Sequence, residues 1–402
     1  MAEAFQPLDG RATRLAGTRR GDLLRLVPGV TLALFLAPIG AGLLGTWLPA
    51  FGYFPALGGS APSLEPWRRL LDHPGLAQSV WLSLTSGLLA TVTSLALALG
   101  FVAACHDRPV FARIRRGLAP LLAVPHVAMA IGLAFLIAPS GWLPRLVSPW
   151  ATGWDLPPDV ATVQDPHGFA LALGLVLKET PFLLLMTLSA LERCAAAERL
   201  AVARSLGYGP VQAWFKTVLP AVYPLIRLPV YAVLAFALSV VDMALILGPA
   251  TPPPLAVQVF RWANDPDLAL RFPAAAGATL QLFLVVGAIG AWRLLELLVA
   301  RLGRRWIAGG RRGGDGRPVR RLTGGTMALA GALAGGAILS LAIWSVTRRW
   351  RYPDALPSEW SLETWRRHGD ALLWTGGTTL VLGLAAAIAA LILVLGCLEN
   401  EQ

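Results

Sequence analysis

The sequence predicts an all-α protein, a polytopic membrane helix bundle of about eight transmembrane helices. Three observations predict it: the composition, eight long apolar runs, and the uneven distribution of arginine and lysine between the loops. The chain has 402 residues, of which 55% are hydrophobic and only 14% are charged. Soluble domains carry about 25% charged residues, so these charges are too few to cover soluble domains of this length. The apolar content excludes a disordered chain, and 3 cysteines are too few for a disulfide framework.

The apolar runs define the predicted spans. A helix needs about 20 mostly apolar residues to cross the hydrocarbon core of a bilayer. The first run follows a polar start and is too long for the apolar core of a signal peptide, so we expect it to remain a membrane span. The eight runs lie at about residues 26–48, 77–105, 117–138, 168–190, 223–248, 273–299, 325–346 and 373–396.

The basic residues predict the orientation. With the N-terminus in the cytoplasm, the four cytoplasmic segments hold 22 arginine and lysine residues, and the external loops hold 10. Because basic residues accumulate in cytoplasmic loops, we predict a cytoplasmic N-terminus. This placement also accounts for the net charge of +11, so we expect no binding to nucleic acid. Cys105, Cys194 and Cys397 would all lie at cytoplasmic helix ends as reduced thiols.

A short internal repeat divides the chain. Residues 63–69 read Ser-Leu-Glu-Pro-Trp-Arg-Arg, and residues 361–367 read Ser-Leu-Glu-Thr-Trp-Arg-Arg. Each copy follows the first predicted span of its half, which indicates two tandem copies of one unit. The alternative is that Trp-Arg-Arg is only a common anchor at the membrane interface.

The repeat predicts four segments along the chain. A cytoplasmic N-terminus covers 1–25, a first unit of six helices covers 26–300, and an Arg/Gly-rich cytoplasmic linker covers 301–324. An incomplete second unit with two helices covers 325–402. We expect that the sequence is truncated, the alternative being that a second chain supplies the missing helices. We expect the linker to be flexible, solvated and close to anionic lipid.

The longest cytoplasmic segment with helical character is the loop 195–220, between the fourth and fifth spans. Its first part is rich in alanine and predicts a helix, which Gly207 would end in a left-handed conformation. Pro210 fits the first turn of a second helix, and Leu219–Pro220 leads back into the membrane. Such a projection is suited to docking a partner, although an ordinary amphipathic connector is the alternative. Three residues at three-residue spacing are expected to share one face: Leu200, Ala203 and Leu206.

This loop resembles the characteristic cytoplasmic loop of the permeases of binding-protein-dependent ABC importers. Ala203, Gly207 and the pair Leu219–Pro220 stand at the family's spacing. Glu198 lies nearly one turn before the position of the family's glutamate and is the candidate to replace it. The departures from the family pattern are Ala201 for a glutamate, Val202 for an alanine and Thr217 for an isoleucine.

The tandem arrangement is similar to the fused permeases of the ferric-iron and thiamine import group. Residues 124–126, 178–182 and 241–249 look most like the permeases of thiamine import. The resemblance implies a six-helix type I importer permease unit plus the first two helices of a second copy, in the bacterial inner membrane. It implies thiamine or a similar small solute as the substrate, and no enzymatic activity in this chain.

The resemblance also implies the partners of the chain. A dimer of cytoplasmic ABC ATPase subunits would bind ATP and Mg²⁺, while this chain would bind no cofactor. A periplasmic or extracellular substrate-binding protein would deliver the substrate within a setting of membrane lipid, and a second permease chain would complete the missing half. The residues expected in the ATPase-docking loop are Glu198, Leu200, Ala201, Ala203, Leu206, Gly207, Trp214, Leu219 and Pro220.

Polar residues inside the spans are candidates for the transport pathway, because burying them in lipid costs several kcal/mol. Lys178 and Glu179 lie in the fourth span, Asp242 in the fifth and His126 in the third. Adjacent residues point to different faces of a helix, so we predict that one of the first two, Lys178, pairs with Asp242. A structural ion pair that fixes helix register is the alternative role, and we expect His126 to be a packing residue.

Two further pairs have helical spacing. Gly331 and Gly335 predict a close helix contact in the seventh span. Arg293 and Glu296, three residues apart near the inner end of the sixth span, are predicted to form an ion pair without a transport role.

Two other function classes stay open. An ion-coupled secondary transporter also has tandem six-helix halves, and its coupling would need titratable groups such as Asp242 and Glu179. A polytopic membrane enzyme would need a nucleophile with a base, or a set of metal ligands. The 5 histidines are scattered and form no His-Glu-x-x-His motif, so we predict neither a catalytic nor a metal site.

Overall fold

The chain folds almost entirely into helices. The computed structural model describes residues 12–106 and 109–400. Within this part, eight helical segments are long and apolar enough to cross a membrane, which confirms the predicted all-α polytopic bundle. One of the eight, His126–Val147, is made of two consecutive short helices. Residues 1–11 of the predicted N-terminal segment, residues 107–108 and residues 401–402 lie outside the described residues.

The helices follow one another with short connections. The first eight are α1 (Ala12–Ala50), α2 (Glu65–Leu71), α3 (Leu76–Cys105), α4 (Pro109–Ala123), α5 (His126–Ile137), α6 (Trp142–Val147), α7 (Phe169–Arg193) and α8 (Ala196–Ser205). The next eight are α9 (Pro210–Ala213), α10 (Leu219–Ser239), α11 (Asp242–Leu247), α12 (Leu255–Ala263), α13 (Arg271–Ala308), α14 (Arg317–Ser345), α15 (Glu363–Arg367) and α16 (Gly369–Asn400). A π-helical turn, Trp214–Val218, joins α9 to α10. The strands β1 (Thr347–Arg349) and β2 (Glu359–Trp360) pair antiparallel.

The contacts divide the chain into two compact units. Among the described residues, the smaller comprises 12–47 and 363–400, and the larger lies within 48–362. Within the smaller unit, a Cβ built on Gly396 of α16 would lie 2.8 Å from Cγ1 of Val27 in α1, so these helices approach closely. The predicted segment boundaries follow the sequence repeat and not these contacts, and they stay predictions.

Helices α3, α7 and α10 form the centre of the larger unit. On α3, the buried hydroxyl groups of Ser83, Ser86 and Thr91 donate to carbonyls four residues earlier in the same helix. Because these hydroxyls are satisfied by their own helix, the small side chains let neighbouring helices pack closely in lipid. A Cβ built on Gly87 of α3 would lie 2.8 Å from Cδ2 of Leu238 in α10.

The third predicted span is broken, which corrects the continuous run expected at 117–138. Helix α4 ends at Ala123 and α5 begins at His126. Pro125, between them, has no N–H group to donate within a helix and disfavours helical geometry at Val124. The carbonyls at the end of α4 therefore lose their helical partners inside the membrane span.

The fifth predicted span, 223–248, is also broken. Helix α10 ends at Ser239 and α11 begins at Asp242. The carbonyl of Leu238 accepts a hydrogen bond from Nε2 of Gln281 at 3.1 Å, so α13 supplies a polar group at the break. Lipid cannot solvate freed backbone groups, which explains a buried glutamine at this position.

The close contact predicted at Gly331 and Gly335 lies elsewhere on α14. A Cβ built on either glycine meets nothing within 4 Å. Helix α14 instead packs on α5 at Gly132, where a Cβ would overlap the carbonyl oxygen of Ala337. In the same contact, Oγ of Ser340 donates to the carbonyl of Gly132 at 3.0 Å. The close approach of α14 thus uses a glycine of its neighbour.

The loops of the larger unit gather at two ends. At one end, α8 and α9 pack beside the C-terminal end of α3, where Trp214 and Phe101 are fully buried. At the other end, Nη1 of Arg145 in α6 donates to the carbonyl of Arg351 at 2.5 Å. The first end, which we call the loop end, gathers segments predicted to be cytoplasmic; its side of the membrane stays a prediction.

The two copies of the sequence repeat adopt similar local structure, each considered by itself. In α2, Glu65 pairs with Arg69 at 3.1 Å. In α15, Glu363 pairs with Arg367 at 2.8 Å. In each copy the glutamate is the first residue of its helix, and the arginine one turn later completes an i,i+4 ion pair.

Candidate functional site

The loop 195–220 folds as two short helices joined by a left-handed turn. Helix α8 ends at Ser205, and Gly207 has a φ of +82°. The N–H of Gly207 donates to the carbonyl of Arg204 at 2.9 Å, and the N–H of Tyr208 donates to that of Ala203 at 3.1 Å. This pair of hydrogen bonds is the Schellman motif that glycine favours after a helix. Pro210 begins α9, so both predicted turn positions are confirmed.

Burial divides the predicted docking residues into two groups. Leu200, Ala203 and Trp214 are 4%, 2% and 0% exposed and belong to the core at the loop end. A partner cannot contact them in this structure, so their role is to hold the loop against the helices. Leu219 is half-buried. The exposed predicted residues are Glu198, Ala201, Leu206, Gly207 and Pro220.

Two apolar side chains are exposed on α8 and at the residue that follows it. Val202 is 62% exposed and Leu206 is 58% exposed. The prediction that Leu206 shares a face with Leu200 and Ala203 is therefore wrong, because α8 ends before Leu206 and its side chain lies outside the core. The four-residue spacing of Val202 and Leu206 was the signal for a second face, and we did not predict Val202 as a docking residue.

The linker segment 309–316 is mostly exposed, as expected for a solvated linker, and its backbone packs along this loop. The N–H of Gly209 donates to the carbonyl of Arg312 at 2.9 Å. A Cβ on Gly209 would overlap the carbonyl oxygen of Gly314, and one on Gly313 would overlap the side chain of Gln212. The glycines of the linker thus permit a backbone contact that the composition alone did not indicate.

Lys216 fixes the base of the loop to the end of α13. Its side chain is buried, and Nζ donates to the carbonyl of Gly309 at 3.5 Å. The same nitrogen lies 5.1 Å from the ring centroid of Tyr208 and 5.0 Å from that of Trp306. These cation–π distances fall within about 6 Å, the range in which aromatic rings attract an ammonium group.

A buried carboxylate joins α10 to α13 just inside the loop end. Glu296 accepts hydrogen bonds from the hydroxyls of Tyr223 at 2.7 Å and Tyr231 at 3.0 Å. It pairs with Nη1 of Arg293 at 2.8 Å, which confirms that predicted ion pair, and with Nε of Arg227 at 3.1 Å. Arg227 lies within α10. The spacing of Tyr223, Arg227 and Tyr231 on one helix face was the missed signal.

Cys194 lies between α7 and α8. Its Sγ donates to the carbonyl of Ala190 at 3.1 Å. Burial raises the pKa of the thiol, while Arg199 lowers it less. No disulfide joins the three cysteines, all of which lie in the described part of the chain.

Lys178 does not form the predicted pair with Asp242. Its Nζ donates to the carbonyls of Leu121 at 3.1 Å and Val124 at 2.6 Å, at the broken end of α4. A cation at a helix C-terminus meets unpaired carbonyls and the negative end of the helix dipole. Asp242 instead accepts from the backbone N–H of Met243 at 2.8 Å. The sequence showed the charges but not the helix breaks that provide their partners.

Two of the other predicted intramembrane residues do come together. Oε1 of Glu179 in α7 lies 3.5 Å from Nε2 of His126 at the start of α5. The imidazole ring also packs against Phe236 of α10, with the ring centroids 4.8 Å apart. His126 packs as expected, and it also gives Glu179 a partner inside the span.

A cavity of about 310 Å³ lies between α4, α7 and α14. Thr180 and Pro181 line it from α7, one turn from Lys178, and the hydroxyl of Thr180 is buried without a hydrogen-bond partner in the described residues. The remaining lining is apolar and includes Gly117, Leu118 and Met327. The cavity can hold a small, mostly apolar group.

Among curated proteins, the chain is similar to the inner membrane ABC transporter permease protein YnjC of Escherichia coli (strain K12), with 34% identity over 247 residues. The alignment covers 61% of this chain and 46% of that protein. The chain therefore spans about half the length of the curated relative that it matches. No protein-family model matches the chain.

Proposed function

We propose that this chain is a permease subunit of an ATP-driven importer in the bacterial inner membrane, with its N-terminus in the cytoplasm. The chain would form part of the substrate pathway and would couple to a cytoplasmic ATPase through the loop 195–220. One observation carries the proposal: a buried base, formed by Leu200, Ala203 and Trp214, holds the exposed pair Val202 and Leu206 outside the helix bundle. The similarity to a curated ABC transporter permease supports it.

The physical argument concerns how force passes through the loop. Leu200 and Trp214 pack on the ends of the central helices, so a push on α8 is transmitted to α3 and α10. Close packing makes such a contact stiff rather than yielding. A subunit that closes on ATP and Mg²⁺ could then shift the bundle between two states, as alternating access requires.

The test places a photo-cross-linking amino acid at Leu206 in the full chain in its native membranes. We expect the probe to capture a subunit with an ATP-binding cassette, identified by mass spectrometry. The matched control is the same probe at Leu200, which is buried and should capture no such subunit. The proposal fails if no ATP-binding-cassette subunit is captured at Leu206, or if both positions capture it equally.

The finer parts of the proposal come from the family resemblance. A substrate-binding protein outside the cytoplasm would deliver thiamine or a similar small solute, and a second permease chain would supply further helices. Uptake of radiolabelled thiamine into cells that express the complete system, compared with cells that lack it, tests the substrate. Equal uptake by both would exclude thiamine and leave the permease assignment in place.

Ion-coupled transport is the second candidate, and the contact of His126 with Glu179 inside a span favours it. The two candidates differ in their energy source. Uptake that stops when ATP is depleted at a constant proton gradient supports the importer. Uptake that continues under those conditions and stops with the gradient would support ion coupling.

A further inference from the structure

The linker segment 309–316 has a fixed register on the loop 195–220. The N–H of Gly209 in the loop donates to the carbonyl of Arg312 in the linker, and a side chain at Gly209 of the loop or at Gly313 of the linker would obstruct the contact. Lys216 ties the start of the segment, at Gly309, to the base of the loop. The segment is therefore held at Gly309 and at Arg312, and it forms one continuous surface with the loop.

This register brings the side chain of Arg312 to the turn after α8. A Cβ built on Gly207 would lie 3.6 Å from Nη1 of Arg312, so the guanidinium lies directly beside the turn. Arg311 and Arg312 are exposed, and no carboxylate of the described residues pairs with either. Asp315, the acidic residue of the segment, pairs with Arg317.

The resulting surface has an apolar centre and a basic edge. Val202 and Leu206 supply the centre, and Arg312 supplies the edge beside Gly207. Unpaired arginines beside exposed apolar side chains suit a protein partner with an apolar slot and an acidic rim. The phosphate of a lipid headgroup could pair with the arginine, but it would offer no apolar pocket for Val202 and Leu206.

We propose that the linker completes the docking surface, so that an acidic rim of the ATPase subunit contacts Arg312 while the subunit also contacts Val202 and Leu206. This inference rests on the proposed function, since it concerns the same partner. It adds that a segment about a hundred residues away in sequence is part of the site. It also gives the linker a role beyond connecting α13 to α14.

The experiment measures binding of the full chain, in detergent, to the purified ATPase subunit that the probe at Leu206 captures. We expect Arg312→Glu to weaken this binding about tenfold or more and to reduce its dependence on salt concentration. Arg366→Glu, an exposed arginine of α15 with the same change in net charge, should bind like the wild type. Val202→Glu should weaken binding as well, because it places a charge in the apolar centre.

A second variant separates the position of the linker from its charge. Gly209→Ala should displace the linker without changing the net charge and should weaken binding, while thermal unfolding checks that the protein still folds. A photo-cross-linking residue at Arg312 in the otherwise unchanged chain gives a readout that does not depend on stability. It should label the ATPase subunit.

The outcomes distinguish this inference from the proposed function. Normal binding by Arg312→Glu, or a probe at Arg312 that labels only phosphatidylglycerol in vesicles of that lipid, would overturn the role of the linker and leave the loop as the docking site. A wild-type chain that does not bind the captured subunit would contradict the proposed function, and this inference with it.

Discussion

Single side chains in this protein act mainly by satisfying backbone groups that the fold leaves open. Lys178 donates a hydrogen bond to the carbonyl of Val124 after the end of α4, and Gln281 donates one to the carbonyl of Leu238 near the end of α10. Lipid offers no water that could hydrogen-bond to an unpaired carbonyl. Each of these side chains therefore stabilises the fold by supplying the missing hydrogen bond. Polar residues within the spans therefore need not line a transport pathway.

Replacing Lys178 tests this account at the residue scale. We expect Lys178→Met to lower the free energy of unfolding by roughly 1–3 kcal/mol, because carbonyls at the end of α4 lose their donor. Lys178→Gln keeps a hydrogen-bond donor, so its free energy of unfolding should lie between those of Lys178→Met and the wild type. Thermal unfolding in detergent measures both, with Arg366→Met as an exposed control; an unchanged midpoint for Lys178→Met would refute the capping role.

The thiol of Cys194 gives a second test at this scale. Because burial raises its pKa, the fraction of thiolate at neutral pH is reduced, and reaction with a maleimide should be slow there. The rate should rise as the pH increases toward that raised pKa. Ser205→Cys, on the exposed end of α8, is the matched control in a chain that also carries Cys105→Ser and Cys397→Ser. Equal rates at the two positions near neutral pH would count against the buried environment.

At the scale of elements, close helix contacts depend on which residue faces a neighbour. Gly331 and Gly335 have the spacing of a helix-packing motif, yet Gly132 of α5 makes the close approach to α14. Spacing along one helix identifies a small face, but the partner's position decides whether that face is used. The same reasoning applies to α8, where Leu206 lies outside the face of Leu200 and Ala203.

The glycine contact yields a paired prediction. Gly132→Leu should destabilise the protein by about 2 kcal/mol or more, because the side chain would overlap the backbone of Ala337 and separate α5 from α14. Gly331→Leu should leave stability nearly unchanged, since open space surrounds that position. The thermal unfolding midpoints of the two variants, measured in the same detergent, test this prediction. A similar decrease in both midpoints would contradict a close contact of α14 at Gly132.

At a larger scale, the segments of the larger unit that are predicted to share one side of the membrane meet at its loop end. The contact of 309–316 with the loop 195–220 joins two of these segments directly. Successive spans run in opposite directions, so every second connection along the chain is expected at the same end of the bundle, as found for these two segments. The distribution of arginine and lysine predicts that this end faces the cytoplasm.

Labelling in oriented vesicles tests that orientation. In a chain that carries serine in place of Cys105, Cys194 and Cys397, a membrane-impermeant thiol reagent should label Ser205→Cys in inside-out vesicles and leave it unlabelled in sealed, right-side-out vesicles. Leu64→Cys, an exposed position at the other end of the larger unit, is the matched control and should show the reverse. Labelling of Ser205→Cys from outside would remove the basis for an intracellular partner at this loop.

The sequence by itself determined the all-α membrane class, the number of spans and the helix–turn–helix of the loop, with Gly207 and Pro210 at their predicted places. These features depend on local composition and on backbone preferences of single residues. Tertiary structure decided which polar groups meet, that Leu200 and Trp214 are buried, and that the linker lies on the loop. Such contacts join residues far apart in the chain, and their partners are set by how helices break, rotate and pack, which no local pattern specifies.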